Sequence, residues 1–217
     1  MQTGTRYIFA VKAVNKAGST RSEIVTIKTL GMPFAFDTHS MHKKLRLANH
    51  GYTVSREDSN KKSKDSGSSS SMSGVSGNVV IEGGRHYWEV VVCQSSAFTL
   101  GVAYTNVPRF EWIGKNNMSW CLCRSNQEWS VRHDNKEIPV HLPTPFPKKI
   151  GVLLDYDSGF LSFFDGASGR RLHTFKVDFK RAIRPTFSVG NKSLTINTGI
   201  TIPDQLQLSN DSNNYSA

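Results

Sequence analysis

A chain of 217 residues has room for one β-rich domain and an appendage, and at roughly 150 residues a single unit already buries about 70% of the surface its unfolded chain exposes, so no covalent staple is required. Twenty-seven Lys/Arg against 17 Asp/Glu leave a net charge of +10, which suits acidic partners, yet no uninterrupted basic block of the kind that marks a nucleic-acid arm is present. Three cysteines (Cys93, Cys121, Cys123) are too few and too odd in number for a disulfide framework, and no run approaches the ~18 apolar residues of a membrane span.

The first predicted elements are a hairpin. Residues 5–16 alternate, with Tyr7, Phe9, Val11 and Ala13 on one face; Ala17-Gly18-Ser19 supplies a turn, and Glu23–Thr29 returns as a second strand. Two strands alone are marginal in water, so the hairpin must pack on something else or belong to a domain whose front is missing. Gly31-Met32-Pro33 ends the pattern. Phe34, Phe36, Leu45 and Leu47 follow with basic residues between them, and then a short strand at Tyr52 and Val54.

Residues 59–78 are almost free of apolar groups and read as a flexible Ser/Lys/Gly-rich loop, because little can be buried there to offset the entropy of ordering. From residue 79 to 206, strands recur at short intervals. Trp88, Val90 and Val92 alternate with Tyr87, Glu89 and Val91; Leu100–Tyr104, Trp120–Leu122 and Trp129–Val131 repeat the pattern. Ile150–Leu154 and Phe160–Phe164 flank the turn Asp155-Tyr156-Asp157-Ser158-Gly159. No helical period appears, so the fold class is all-β, a two-sheet antiparallel sandwich. The tail 207–217 turns polar and reads as disordered.

Candidate chemistry is sparse. Asp155 and Asp157 sit in a turn and lack a converging partner; Asp155-x-Asp157-x-Gly159 lacks the later glutamate of a calcium loop. Cys123 with His133 would make a nucleophile pair only with a third orienting group, and none is indicated. Cys121 and Cys123 alternate within one strand and should share a face, but further zinc ligands are lacking. No metal, cofactor or catalysis of the chain's own is expected.

Five motifs in order carry a family resemblance: His86-Tyr87-Trp88-Glu89-Val90, Leu100-Gly101-Val102-Ala103, Leu154–Gly159, Leu161-Ser162-Phe163-Phe164-Asp165 and Arg184-Pro185-Thr186-Phe187. Together they resemble the SPRY (B30.2) domain. Phe36-Asp37 and Leu45–Leu47 resemble its PRY extension, here residues 31–58, although Thr38 stands where that family usually has proline. Tyr7-x-Phe9-x-Val11-x-Ala13-x-Asn15-x-x-Gly18 resembles the penultimate strand of a fibronectin type III domain, so residues 1–30 read as the end of a truncated one. The combination resembles the fibronectin type III and SPRY domain-containing proteins and the midline-type tripartite-motif proteins.

The resemblance implies a non-enzymatic protein-binding module that docks partners on loops at one end of the sandwich. By analogy it also implies a cytoplasmic, microtubule- or centrosome-associated setting in which the basic surface meets tubulin's acidic tails. A peptide ligand, or the substrate of a ubiquitin ligase whose RING lies upstream, is the alternative partner. Neither nucleic acid nor membrane is expected, and oligomerisation would come through upstream regions. Exposed aromatic and arginine side chains are the usual anchors of such contacts. The candidate partner-binding residues are therefore Arg109, Phe110 and Trp112 in the segment 106–112, Arg124, Gln127 and Trp129 in the segment 124–129, and Asn191; for Trp112 and Trp129 a place in the core is the competing reading.

Overall fold

The structure is a computed structural model that describes residues 6–56, 73–108, 113–142 and 144–207. Four short strands open the chain: β1 (Arg6–Phe9), β2 (Lys12–Asn15), β3 (Gly18–Arg21) and β4 (Val25–Lys28). β1 pairs with β4 and β2 with β3, so this is one long antiparallel hairpin with a break in its middle. The break arises because two residues, Ala10 and Val11, face three on the return strand. Ser22 bridges the mismatch, its Oγ accepting from the Val11 amide at 2.8 Å and its amide donating to the Val11 carbonyl at 2.7 Å. The turn falls at Lys16-Ala17, one residue earlier than the sequence pattern suggests, because the Asn15 side chain accepts from the amides of Ala17 and Gly18.

Thirteen strands build the sandwich: β5 (Leu45–Ala48), β6 (Thr53–Arg56), β7 (Ser73–Ser76), β8 (Arg85–Val91), β9 (Ala97–Tyr104), β10 (Ser119–Ser125), β11 (Glu128–His133), β12 (Lys136–Pro139), β13 (Lys149–Asp155), β14 (Phe160–Asp165), β15 (Arg171–Lys176), β16 (Ile183–Val189) and β17 (Ser193–Asn197). They form a six-stranded sheet in the order β12-β11-β10-β9-β16-β7 and a seven-stranded sheet in the order β15-β14-β13-β8-β17-β6-β5. Every ladder is antiparallel, as expected for strands that alternate apolar and polar residues and so bury one face each.

The core lies between the sheets. Trp88, Val90, Val152 and Leu154 from the larger sheet meet Phe98, Leu100, Leu122 and Phe187 from the smaller, all essentially inaccessible. Aromatic edges meet faces here: Phe34 against Trp88 at 5.7 Å and Phe36 against Phe187 at 5.1 Å. A second apolar cluster covers the other side of the larger sheet. There the chain's end, including a short helix α1 (Asp204–Gln207), lays Ile202 and Leu206 over Tyr87, Leu153 and Phe164.

One expectation changes. The stretch 59–78 is not loop throughout, since β7 pairs with β16 and buries Ser73 and Val75; alternation with small residues let a genuine edge strand pass as low-complexity sequence. Residues 57–72 lie outside the described ones, as do 208–217 of the tail. Within the PRY segment, 31–58, β5 and β6 are strands of the larger sheet, and Leu45 and Val54 are fully buried in the core.

Candidate functional site

The outward face of the smaller sheet is built from small and polar residues. Directly paired residues share a face, so the registers place Gly74 and Ser76, Thr99, Gly101 and Ala103, Ser119, Cys121 and Cys123, and Arg184, Thr186 and Ser188 together on that side. Close packing of the sheet requires some of this smallness. A Cβ on Gly101 would lie 2.0 Å from the Trp120 carbonyl oxygen.

At one end of this face is a cavity of about 310 Å³, lined on its floor by Ala103, Ser119, Arg184 and Thr186. One wall is the segment 37–40, strapped to the edge strand β7: the Asp37 amide donates to the Ser76 carbonyl at 2.8 Å, and Ser40 Oγ accepts from the Ser76 amide at 2.9 Å. The Arg184 guanidinium reaches Asp37 Oδ2 at 3.4 Å, tying floor to wall. The opposite wall is Val107, Pro108 and Ile113. Such a cleft, with one polar and one apolar wall, hydroxyls and one ion pair, has the size of an anchor side chain rather than of a large cofactor.

Hydrolytic chemistry is not assembled there. Ser40 Oγ donates to the Asp37 carbonyl, while the His39 ring, 93% exposed, pairs with Asp37 Oδ1; no hydroxyl–imidazole pair results. Cys123 and His133 occupy opposite faces of the sheet: the His133 ring stacks on the core residue Trp120 at 4.6 Å and bonds the Ser119 carbonyl, while Cys123 faces outward beside Cys121, Sγ to Sγ 3.6 Å. Burial pushes the Cys121 thiol well up, away from thiolate. Asp155 accepts from the Ser158 amide and Asp157 from the Gly84 amide, so both carboxylates brace turns. Among the described residues no cluster of His, Cys, Asp and Glu could hold a metal, and no helix is long and apolar enough to cross a membrane.

The described sequence-derived anchors do not line the cavity. Arg109, Phe110 and Trp112 lie outside the described residues, but their neighbours Val107, Pro108 and Ile113 line the cavity. Arg124, Gln127 and Asn191 are at the other end of the same sheet, because β10 runs antiparallel to β9 and carries its following turn away from the cavity. Arg124 is part of the framework: it donates to the carbonyls of Asn126 and Ser95, and its guanidinium lies over the rings of Trp129 and Phe146. Asn191 likewise clamps the 95–96 loop, its Oδ1 accepting from Ser95 Oγ and the Ser96 amide. Trp129 is a core residue, 4% exposed and edge-on to Phe98 at 5.5 Å, because its register on β11 faces inward with Val131. Gln127 is exposed, while Arg124 and Asn191 are half-buried.

Asp37, Ser40, Arg184 and Thr186 were not foreseen as a site. Asp37 and the run Arg184–Phe187 stood out in the sequence only as markers of the fold, and nothing local shows that residues 147 positions apart will meet.

Two antiparallel sheets packed face to face, with a cleft on the outer face of one, are the architecture of a class of β-sandwich modules. The SPRY domain family matches residues 85–201, and the chain belongs to it. Over 207 residues it is 46% identical to human "Probable E3 ubiquitin-protein ligase MID2", a match spanning 94% of this chain and 28% of the relative. It is 50% identical over 101 residues to Mus caroli "E3 ubiquitin-protein ligase Midline-1" (46% of this chain, 93% of the relative), and 32% identical to human "Fibronectin type III and SPRY domain-containing protein 2" (94% and 28%). The chain thus spans little more than a quarter of the longer relatives' length. Among solved structures, the TRIM65 PSpry domain superposes with a TM-score of 0.63 at 27% identity over 76% of this chain and 91% of that one. Stonustoxin does so with 0.64 at 28% identity, over 76% and 28%.

Proposed function

We propose that this chain is the substrate-recognition part of a midline-type ubiquitin ligase, gripping a protein through the cleft between the segment 37–40 and the residues Val107, Pro108 and Ile113. SPRY domains are protein-interaction modules, and the observation that carries the ligase reading is the 46% identity, across 94% of the chain, to a relative named as such a ligase. In this reading the module itself contributes no ubiquitin chemistry. It supplies affinity for a target, while catalytic groups reside in other parts of the parent protein. The cleft's size and mixed lining suit one partner side chain seated on Thr186 and Ser119, beside Val107, Pro108 and Ile113.

The test is a binding comparison. Proteins captured by the parent domain should be lost with Arg184→Glu and with Phe110→Ala, and kept with Gln127→Ala, which lies at the far end. Those proteins should then be ubiquitylated by a ligase carrying this domain and spared when it carries Arg184→Glu. Equal capture by all variants would place the partner surface elsewhere.

A second reading, association with microtubules, is favoured by the net charge of +10. Acidic tubulin tails would bind a basic module mainly through long-range attraction, which salt screens over about 10 Å at 0.1 M. Co-sedimentation should be strong in low salt and fall steeply as salt is added. A folded domain that stays in the supernatant at low salt defeats this reading.

A further inference from the structure

The two members of the ion pair in the cleft are unequally satisfied. Asp37 is close to saturated: its Oδ1 accepts from the His39 amide at 2.9 Å and meets the His39 ring at 3.2 Å, its Oδ2 meets Arg184, and its side chain is 16% exposed. Arg184 is the reverse. A guanidinium carries five N–H donors in a fixed fork. Among the described residues that of Arg184 has one acceptor, Asp37 Oδ2 at a long 3.4 Å from Nη1, and 36% of the side chain is open. The hydroxyls beside it are committed elsewhere. Thr186 Oγ1 donates to the Arg184 carbonyl at 3.1 Å, while Ser119 Oγ donates to Asn116 Oδ1 at 2.8 Å and accepts from the Gly114 amide at 2.7 Å. The cleft therefore holds a surplus of charged donors.

With the cleft as the docking surface of the function proposed above, we infer that its anchor is an acidic side chain, an aspartate or glutamate within the partner chain. Its carboxylate takes the open edge of the Arg184 guanidinium through two parallel N–H···O bonds, the arrangement that arginine and carboxylate favour. The aliphatic part of the same side chain rests on the apolar wall of Val107, Pro108 and Ile113. A lysine or arginine anchor fits less well, because it would compete with Arg184 for a carboxylate whose oxygens are already engaged. A phosphate fits less well too. Recognition of that dianion rests on clusters of cations, whereas Arg184 is the one Lys or Arg lining the cleft among the described residues and Asp37 stands beside it. The net charge of +10 draws acidic partners toward the module.

The probe is a displayed library of random peptides with no free C-terminal carboxylate, selected on the full chain and sequenced. An aspartate or glutamate should be enriched at least fivefold at one position. For a selected peptide, the amide in place of that acid should weaken binding to the parent at least tenfold and to Arg184→Gln by less than twofold, the non-additivity expected of a direct pair. Arg184→Lys keeps the charge without the fork and should fall between the two; it carries the test if Arg184→Gln melts below the parent. Phosphoserine in place of the acid should bind no tighter. An undiminished amide penalty in Arg184→Gln, tighter binding of the phosphoserine peptide, or a selection that returns no peptide sensitive to Arg184→Gln would each overturn the acidic anchor. Neutral or basic peptides that are lost with Ile113→Ala would keep the cleft and sink the anchor alone. Peptides indifferent to both Ile113→Ala and Arg184→Gln would sink the cleft and the anchor with it.

Discussion

Single residues decide which aromatic and basic groups can meet a partner. Trp129 satisfies every compositional expectation of an interface anchor, yet its inward register seats it between Phe98 and Phe146 under the Arg124 guanidinium. Removing it opens a cavity in the core. Trp129→Ala is therefore expected to cost about 3–5 kcal/mol of stability, measured by chemical denaturation. Gln127→Ala on the neighbouring turn should change stability by less than about 0.5 kcal/mol. A Trp129→Ala protein as stable as the parent, with binding selectively lost, would return this residue to the docking surface. Arg124 and Asn191 illustrate the same division: polarity and loop position suggested recognition, while their hydrogen bonds to Ser95, Ser96 and Asn126 are those of a scaffold.

At the scale of elements, the cleft depends on how edges are managed. β7 closes one edge of the smaller sheet and is itself covered by residues 36–42, which donate to the Ser76 and Gly74 carbonyls; that strap doubles as the cavity wall. The other edge, β12, is exposed along its length and ends in Pro139, which blocks further pairing. It is tied back through Glu137, whose Oε1 accepts from Arg132 Nη2 at 2.7 Å and from Ser130 Oγ at 2.6 Å. Those two hydrogen bonds, Arg132 first, hold the Glu137 carboxyl below its ordinary value. The side chain is half exposed, so solvent discounts the pair to under about 1 kcal/mol. Glu137→Ala should barely lower the melting temperature while accelerating amide exchange across 136–139, with strands β9 and β16 unaffected. Uniform protection in the variant would show that the tie is dispensable.

For the whole molecule, the question is whether residues 31–56 form a unit apart. β5 and β6 extend the larger sheet beyond β17, and Leu45 and Val54 are fully buried in the common core. Folding should accordingly be one transition. Leu45→Ala should cost about 2–5 kcal/mol and shift thermal unfolding of the entire sandwich, seen alike by tryptophan fluorescence and far-ultraviolet circular dichroism. Two separated transitions would mean that the N-terminal strands fold on their own. The outer cover of Ile202 and Leu206 on Tyr87, Leu153 and Phe164 joins the chain's end to the same cooperative unit.

What the sequence determined by itself was everything that rests on local pattern. Period-two alternation specified the strands and their buried faces, so Trp88, Val90, Leu100 and Leu122 are core residues as read, and Cys121 and Cys123 share one face as their spacing requires. Five ordered motifs sufficed for the family: four lie within β8, β9, β14 and β16, and one spans the turn from β13 to β14. Where alternation ran through small residues, as in β7, the signal weakened below that of a loop, since serine and glycine bury little area whichever way they face. Only the tertiary structure could decide the site. The cleft unites Asp37, Ser76, Ser119 and Arg184, four residues from four segments whose meeting is a property of strand order and register. Antiparallel pairing likewise sent the loops 105–118 and 126–127 to opposite ends of one sheet, a separation that the sequence cannot express because it depends on which strand lies beside which.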